Sequence, residues 1–172
     1  MSLNINGKQN DISYRYKMPK LKINHTGSGK NCKTVIMNLT KISDCIGCPP
    51  NILLAFLSFK CCSSMDKIKG SIKGHYNNTD LQNHIFVYIN TFVLCSCGIP
   101  ELVPMLEKKS KKKTVLKLKC SACGNIIESK NDKVSSKIGE HIKKALERNK
   151  WKIRRGMIVD EDNNSSVDLF SL

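Results

Sequence analysis

Cys95-Ser96-Cys97-Gly98, a 22-residue interval, and Cys120-Ser121-Ala122-Cys123-Gly124 form the stretch whose spacing decides how this chain folds. Two close cysteine pairs separated by the length of a β-hairpin supply the four thiolates of a tetrahedral structural zinc site, because each pair occupies one tight turn and the hairpin brings the turns together. The second pair has the usual two-residue spacer, whereas the first is C-x-C and needs a tighter turn. The alternative is four unligated core cysteines. With Zn2+ held by Cys95, Cys97, Cys120 and Cys123 the site is closed, leaving no position for water or substrate, so the metal stabilises and does not catalyse.

Between the pairs lie Lys108, Lys109, Lys111, Lys112, Lys113, Lys117 and Lys119. On a zinc ribbon they make a cationic hairpin able to exchange counterions for RNA phosphates. The bland alternative is a solvated lysine-rich loop, and without interleaved aromatic residues base stacking is not supported.

Upstream, Lys33 to Leu39 has the β-branched content of a strand, and Thr40 can cap a short helix. Pro49 and Pro50 break that helix and start another, whose apolar face is Ile52 to Phe59. Lys67 to Lys73 alternates as a half-exposed strand would. Asn78 or Thr79 caps a longer helix with Leu81, Ile85, Tyr88, Ile89 and Phe92 at helical spacing. Downstream, Val134, Ile138, Ile142, Ala145 and Leu146 form one stripe of a basic helix, and residues 130–155 hold ten basic and three acidic residues. The predicted architecture is α+β: a flexible N-terminal arm (1–20), a small mixed α/β domain (21–92), a four-cysteine zinc ribbon (93–129), a C-terminal basic helix (130–155) and a polar tail (156–172).

The whole chain has 172 residues, 29 Lys plus Arg against 14 Asp plus Glu, a net charge of +15, 40% hydrophobic residues and nine cysteines. That length excludes a large enzyme core, and the charge suits a polyanionic partner. Met1 to Asn10 has no apolar leader segment, and no run approaches the ~20 apolar residues of a membrane span. The expectation is a cytoplasmic, monomeric protein whose cysteines are reduced thiols or metal ligands.

Other motifs carry less chemistry. Cys45-Ile46-Gly47-Cys48 is a second C-x-x-C, but it falls at the end of a helix, where a redox motif needs the first thiol at a helix start. Gly27-Ser28-Gly29-Lys30-Asn31 lacks the upstream glycine and the Ser or Thr of a phosphate loop, and it precedes a strand, not a helix. His25, His75, His84 and His141 fall on different elements with no nucleophile at a recognisable spacing.

Several stretches together resemble a known family. Tyr14-Arg15-Tyr16-Lys17-Met18-Pro19, Gly27-x-Gly29 leading to Lys33-Thr34-Val35-Ile36, Pro49-Pro50, Leu81-Gln82, Phe92-Val93-Leu94-Cys95, Cys120-x-Ala122-Cys123-Gly124 and Lys133-Val134-Ser135-Ser136 are similar to the N-terminal region of eukaryotic translation initiation factor 5. The related beta subunit of initiation factor 2 shares the α+β domain and ribbon, and Leu53-Leu54-Ala55-Phe56-Leu57 looks more like that subunit. The resemblance implies a regulator rather than an enzyme. Its implied role is GTPase activation of the initiation factor 2 ternary complex, in which GTP and initiator tRNA are bound, on the small ribosomal subunit and its rRNA. Arg15 is implied as an arginine finger acting in trans on the gamma subunit, with Lys33 supporting it. In the family a lysine linked to activation stands where Ala55 stands here, and the C-terminal helical-repeat domain that docks on the beta subunit has no counterpart in these residues. These departures leave a second reading, a non-activating zinc-ribbon module that binds the initiation complex or RNA.

Overall fold

The protein, seen here as a computed structural model, is described over residues 2–110, 113–128 and 132–148. Strands β1 (Ser2–Asn4) and β2 (Lys17–Pro19) pair antiparallel with Leu3 opposite Met18. The segment expected to be an extended arm is therefore a folded hairpin. Ile5, Met18 and Leu21 are at most 2% exposed. The buried Asn4 organises the loop between the strands: its Nδ2 donates to the carbonyls of Lys8 (2.7 Å) and Asp11 (2.6 Å), and its N–H donates to Gln9 Oε1 (2.8 Å). Anchoring residues so far apart in sequence give no local period, which is why the sequence reads as an arm.

A second sheet, of four antiparallel strands, runs β3 (Ile23–Thr26), β4 (Lys33–Ile36), β6 (Ser71–Lys73), β5 (Met65–Asp66) in spatial order. β4 stops three residues earlier than its β-branched content suggests. The Asn38 side chain accepts the Lys22 N–H (2.9 Å) and donates to the Lys20 carbonyl (2.9 Å), turning the chain into helix α1 (Leu39–Ile46). Asn38, not Thr40, is the N-cap. Only the last part of the Lys67 to Lys73 stretch is a strand. Asp66 Oδ1 accepts the N–H groups of Ile68 and Lys69, and Gly70 at φ +59° completes a turn that local hydrogen bonds favour over a strand.

Helix α2 (Pro50–Lys60) begins on Pro50, and every residue from Ile52 to Ser58 is buried. The sequence predicts one apolar face. The helix is instead buried all round because it packs against α1, the sheet, α3 (Asn78–Phe92) and α4 (Lys133–Glu147). Each fully buried large aliphatic chain here contributes roughly 1.5–3 kcal/mol. The Asn77 side chain caps α3 one residue before the expected position, accepting the Asp80 N–H (2.7 Å), and Leu81, Ile85, Tyr88, Ile89 and Phe92 all face inward as their spacing predicts.

The third sheet is β7 (Leu102–Ser110), β8 (Lys113–Cys120) and β9 (Ile126–Glu128), antiparallel in that order. Leu102, Leu116 and Leu118 turn one side of it into the same hydrophobic cluster that contains Tyr88 and Phe92 of α3. Helix α4 closes this seam with Ile138 and Ile142, and a Cβ added to Gly139 would lie 3.6 Å from Leu116, so a small residue permits the close approach. Asp132 caps α4, accepting the Ser135 N–H, and its carboxyl is held below the usual range chiefly by hydrogen bonds from Ser135. Among the described residues no single helix is long and apolar enough to cross a membrane, and the apolar pair α1 and α2 is bent by 105°.

Truncating α2 separates core from surface. Leu54→Ala, at a fully buried position, is expected to cost ~2–5 kcal/mol in urea unfolding. Ile68→Ala, where the side chain is 97% exposed, should stay within ~0.5 kcal/mol of the parent.

Candidate metal centre and arginine hairpin

The two cysteine turns meet at one end of the third sheet. The first follows α3: the Cys95 N–H donates to Ile99 O (3.0 Å), the Gly98 N–H to Cys95 O (2.9 Å), and Gly98 has φ +85°. The second ends β8: the Cys120 N–H donates to Asn125 O (2.8 Å), the Gly124 N–H to Cys120 O (2.9 Å), and Gly124 has φ +76°. Closure four residues on in the first turn and five in the second absorbs the missing spacer residue of the C-x-C pair. Both glycines adopt a left-handed backbone that other residues adopt only with strain.

The four sulfurs lie within 4.8 Å of one another, with Cys95 to Cys123 at 3.7 Å and Cys97 to Cys120 at 3.9 Å. A tetrahedron with metal–sulfur bonds of ~2.3 Å has edges of ~3.8 Å, so these residues fit Zn2+. Backbone N–H groups reinforce the fit. The Cys97 N–H, followed by sulfur contacts from Cys123, Cys97 and Cys120, outweighs burial and draws the Cys95 thiol down to about 7. At Cys97 the Ile99 N–H favours the thiolate, but burial and the sulfurs of Cys95, Cys123 and Cys120 prevail and push it up to about 12. Four thiolates cannot share this volume without a cation, and a bound dication removes the conflict. By contrast, burial first and the Asp44 charge second raise the Cys45 thiol, and Gly47 at φ +70° ends α1 between Cys45 and Cys48. That environment opposes the depressed thiol a redox C-x-x-C requires.

The seven ribbon lysines do not act as one group. Lys108 is exposed near the end of β7, Lys119 is exposed on β8, and Lys117 Nζ lies 2.7 Å from Glu107 Oε2, a partner that pushes its titration up. Lys109 and Lys113 sit on β7 and β8, beside a register shift between Lys108 and Ser110. Lys111 and Lys112 lie outside the described residues, as does the polar tail.

Arg15 is exposed, and among the described residues no ion pair holds it. Its neighbours are anchored. Tyr14 Oη donates to the Gly98 carbonyl (3.3 Å) and Tyr16 Oη to Glu101 Oε1 (2.8 Å), with the two rings 5.8 Å apart. Burial, then the charges of Tyr16 and Asp11, push Tyr14 up to about 12, so it remains a donor at ordinary pH. Gly98 and Glu101 are the contacts that sequence reasoning missed. The Tyr-x-Tyr alternation is a signal that both rings share one side of an extended segment, but nothing local says what they touch.

Lys33 stands on β4, with Nζ 3.8 Å from Asp66 Oδ2. N–H donation from Lys69 foremost, then from Ile68, holds the Asp66 carboxyl low, and Lys33 adds to this. No hydrogen bond or ion pair among the described residues joins Lys33 to Arg15, so the two are not brought into one site. Ala55 is fully buried in α2. The nearest cation on that helix is Lys60, whose Nζ lies 5.6 Å from the Phe56 ring centre. Of the histidines, His25 and His75 stack at 3.7 Å beside Tyr76, while His84 and His141 are shifted down by burial first and neighbouring lysines second.

Metal analysis of the purified protein is expected to give about one zinc per chain. Cys120→Ser, which removes a fully buried ligand, should lower this several-fold, and Cys45→Ser should leave it unchanged.

Residues 6–126 match the family described as a domain found in initiation factors 2B and 5, a span that takes in most of the hairpin, the four-stranded sheet with α1 to α3, and both cysteine turns. The probable eukaryotic translation initiation factor 5 of Schizosaccharomyces pombe is 34% identical over 128 residues, covering 72% of this chain and 32% of its own length. The factor 5 of Dictyostelium discoideum is 35% identical over 127 residues (72% and 31%), and that of Saccharomyces cerevisiae 33% over 129 (72% and 31%). The chain thus spans about a third of the length of these relatives. With the hairpin, α+β unit and ribbon all inside the matched span, this chain belongs to the family of the domain shared by initiation factors 2B and 5, and corresponds to the N-terminal region of eukaryotic translation initiation factor 5.

Proposed function

We propose that this chain is a translation initiation factor that activates a GTPase in trans, the gamma subunit of initiation factor 2 in its ternary complex with GTP and initiator tRNA. The reaction would accompany start-codon recognition on the small ribosomal subunit, in the cytoplasm. The names of the relatives support a role in initiation. The observation that carries the activator reading is Arg15: an exposed guanidinium without an ion pair among the described residues, flanked by two anchored tyrosines.

During phosphoryl transfer, charge spreads over the oxygens of the moving group, and a planar guanidinium stabilises it with paired N–H donors. An exposed arginine between fixed neighbours reaches into another protein's active site at little cost in backbone order. Lys33, once released from Asp66, supplies a second cation for phosphate or switch contacts. Lys108 and Lys119 offer exposed charge to rRNA, and the metal centre holds the strands that carry them.

A second reading, a module that binds the initiation complex without activating it, is favoured by Ala55. A buried alanine leaves no cation at that position, where the resemblance places an activating lysine.

Single-turnover GTP hydrolysis in a reconstituted ternary complex on small subunits tests both. The wild-type protein should accelerate hydrolysis, and Arg15→Ala should remove ~10³–10⁵ of the enhancement with binding retained. Arg15→Lys should recover only a small part, since a point charge lacks the fork. Binding without acceleration by the wild-type protein would establish the non-activating module.

A further inference from the structure

We infer that Tyr14 and Tyr16 are positioning residues that latch the Arg15 segment to the first cysteine turn, so that the presentation of Arg15 depends on the metal held by Cys95, Cys97, Cys120 and Cys123. The kinetic consequence rests on the activator reading, whereas the latch itself is a property of this chain.

The two phenols end on residues whose positions are set by the sulfur cluster. Gly98, which accepts from Tyr14 Oη, follows Cys97 directly and is tied back to Cys95 by its own N–H (2.9 Å). Glu101 joins three parts of the chain: its carboxylate accepts from Tyr16 Oη (2.8 Å), and its carbonyl accepts the N–H of Ser121 (2.9 Å), the residue after Cys120. Both acceptors therefore move if the cysteine turns separate.

On its other side the segment is held by the hairpin, since the Ile5 N–H donates to Tyr16 O (3.0 Å) and Met18 is buried. Tyr16 is thus fixed by its backbone to the residue after β1 and by its side chain to the ribbon, and exposed Arg15 sits between the two tyrosine attachments. Without a cation the four sulfurs cannot keep their separations as thiolates, the turns relax, and both phenols lose their acceptors together.

Hydrogen–deuterium exchange on the intact protein reads this without any GTPase. In the zinc-loaded wild-type protein the amides of residues 14–18 should exchange slowly, and chelation should speed them about tenfold or more while α3 amides stay protected. In the Tyr14→Phe/Tyr16→Phe double variant those amides should already be fast, with chelation adding little. Glu101→Gln, which keeps an acceptor, should stay slow, and Glu101→Leu should not. In hydrolysis assays the double variant should lower the maximal rate and leave the half-maximal concentration unchanged.

The inference is overturned if chelation leaves residues 14–18 protected in the wild-type protein, or speeds them equally in the double variant. Failure of the activator reading would appear separately, as slow, zinc-dependent exchange with no effect of Arg15→Ala on hydrolysis.

Discussion

Four sulfurs confined within 4.8 Å of one another are the constraint on which the second half of this molecule depends. Thiolates this close repel, and thiols this close cannot all be satisfied donors, so the arrangement is self-consistent only around a cation. From that point the rest of the ribbon follows. The two turns fix the ends of α3, β7 and β8, and the 22 residues between the pairs have no other route than a hairpin. A metal site is thus a folding element here, compensating for a sheet that buries few apolar residues of its own.

The ribbon does not stand apart from the α+β unit. Leu102, Leu116 and Leu118 join Tyr88, Phe92, Ile138 and Ile142 in one cluster with the core around α2. The seam is closely filled, with a void of only ~10 Å³ among Ile46, Cys48, Tyr88, Leu118, Ile142 and their neighbours. The consequence for function is mechanical. The metal centre, the tyrosines and the exposed arginine belong to one packed body, and a change at the sulfurs reaches Arg15 through two hydrogen bonds rather than through a flexible linker.

What the sequence reveals and what it hides divide by range. The cysteine spacing, the period of α3 and the stripe of α4 are local patterns, and each reads correctly because one element carries its whole signal. The C-x-C spacer looks like a defect until the shorter closure from Cys95 to Ile99 accounts for it. Hidden are the features made by partners distant in sequence. The β1–β2 hairpin depends on Asn4 and on Leu3 facing Met18, and the turn at Asp66 competes with an alternating pattern that imitates a strand. The tyrosine contacts with Gly98 and Glu101 span 84 and 85 residues, beyond any local rule. Arg15 itself becomes a candidate through resemblance to a family, and the structure adds how it is held.

The central claim, that an anchored segment delivers Arg15 into a partner's nucleotide site, is tested most directly by cross-linking. A photoreactive side chain at position 15 is placed in the ternary complex with the partner GTPase trapped by GDP and aluminium fluoride. Cross-links to residues lining the phosphate-binding loops of the gamma subunit are expected, and they should be lost when GDP alone is bound. Cross-links confined to rRNA, or to gamma-subunit surfaces remote from the nucleotide, would contradict the claim.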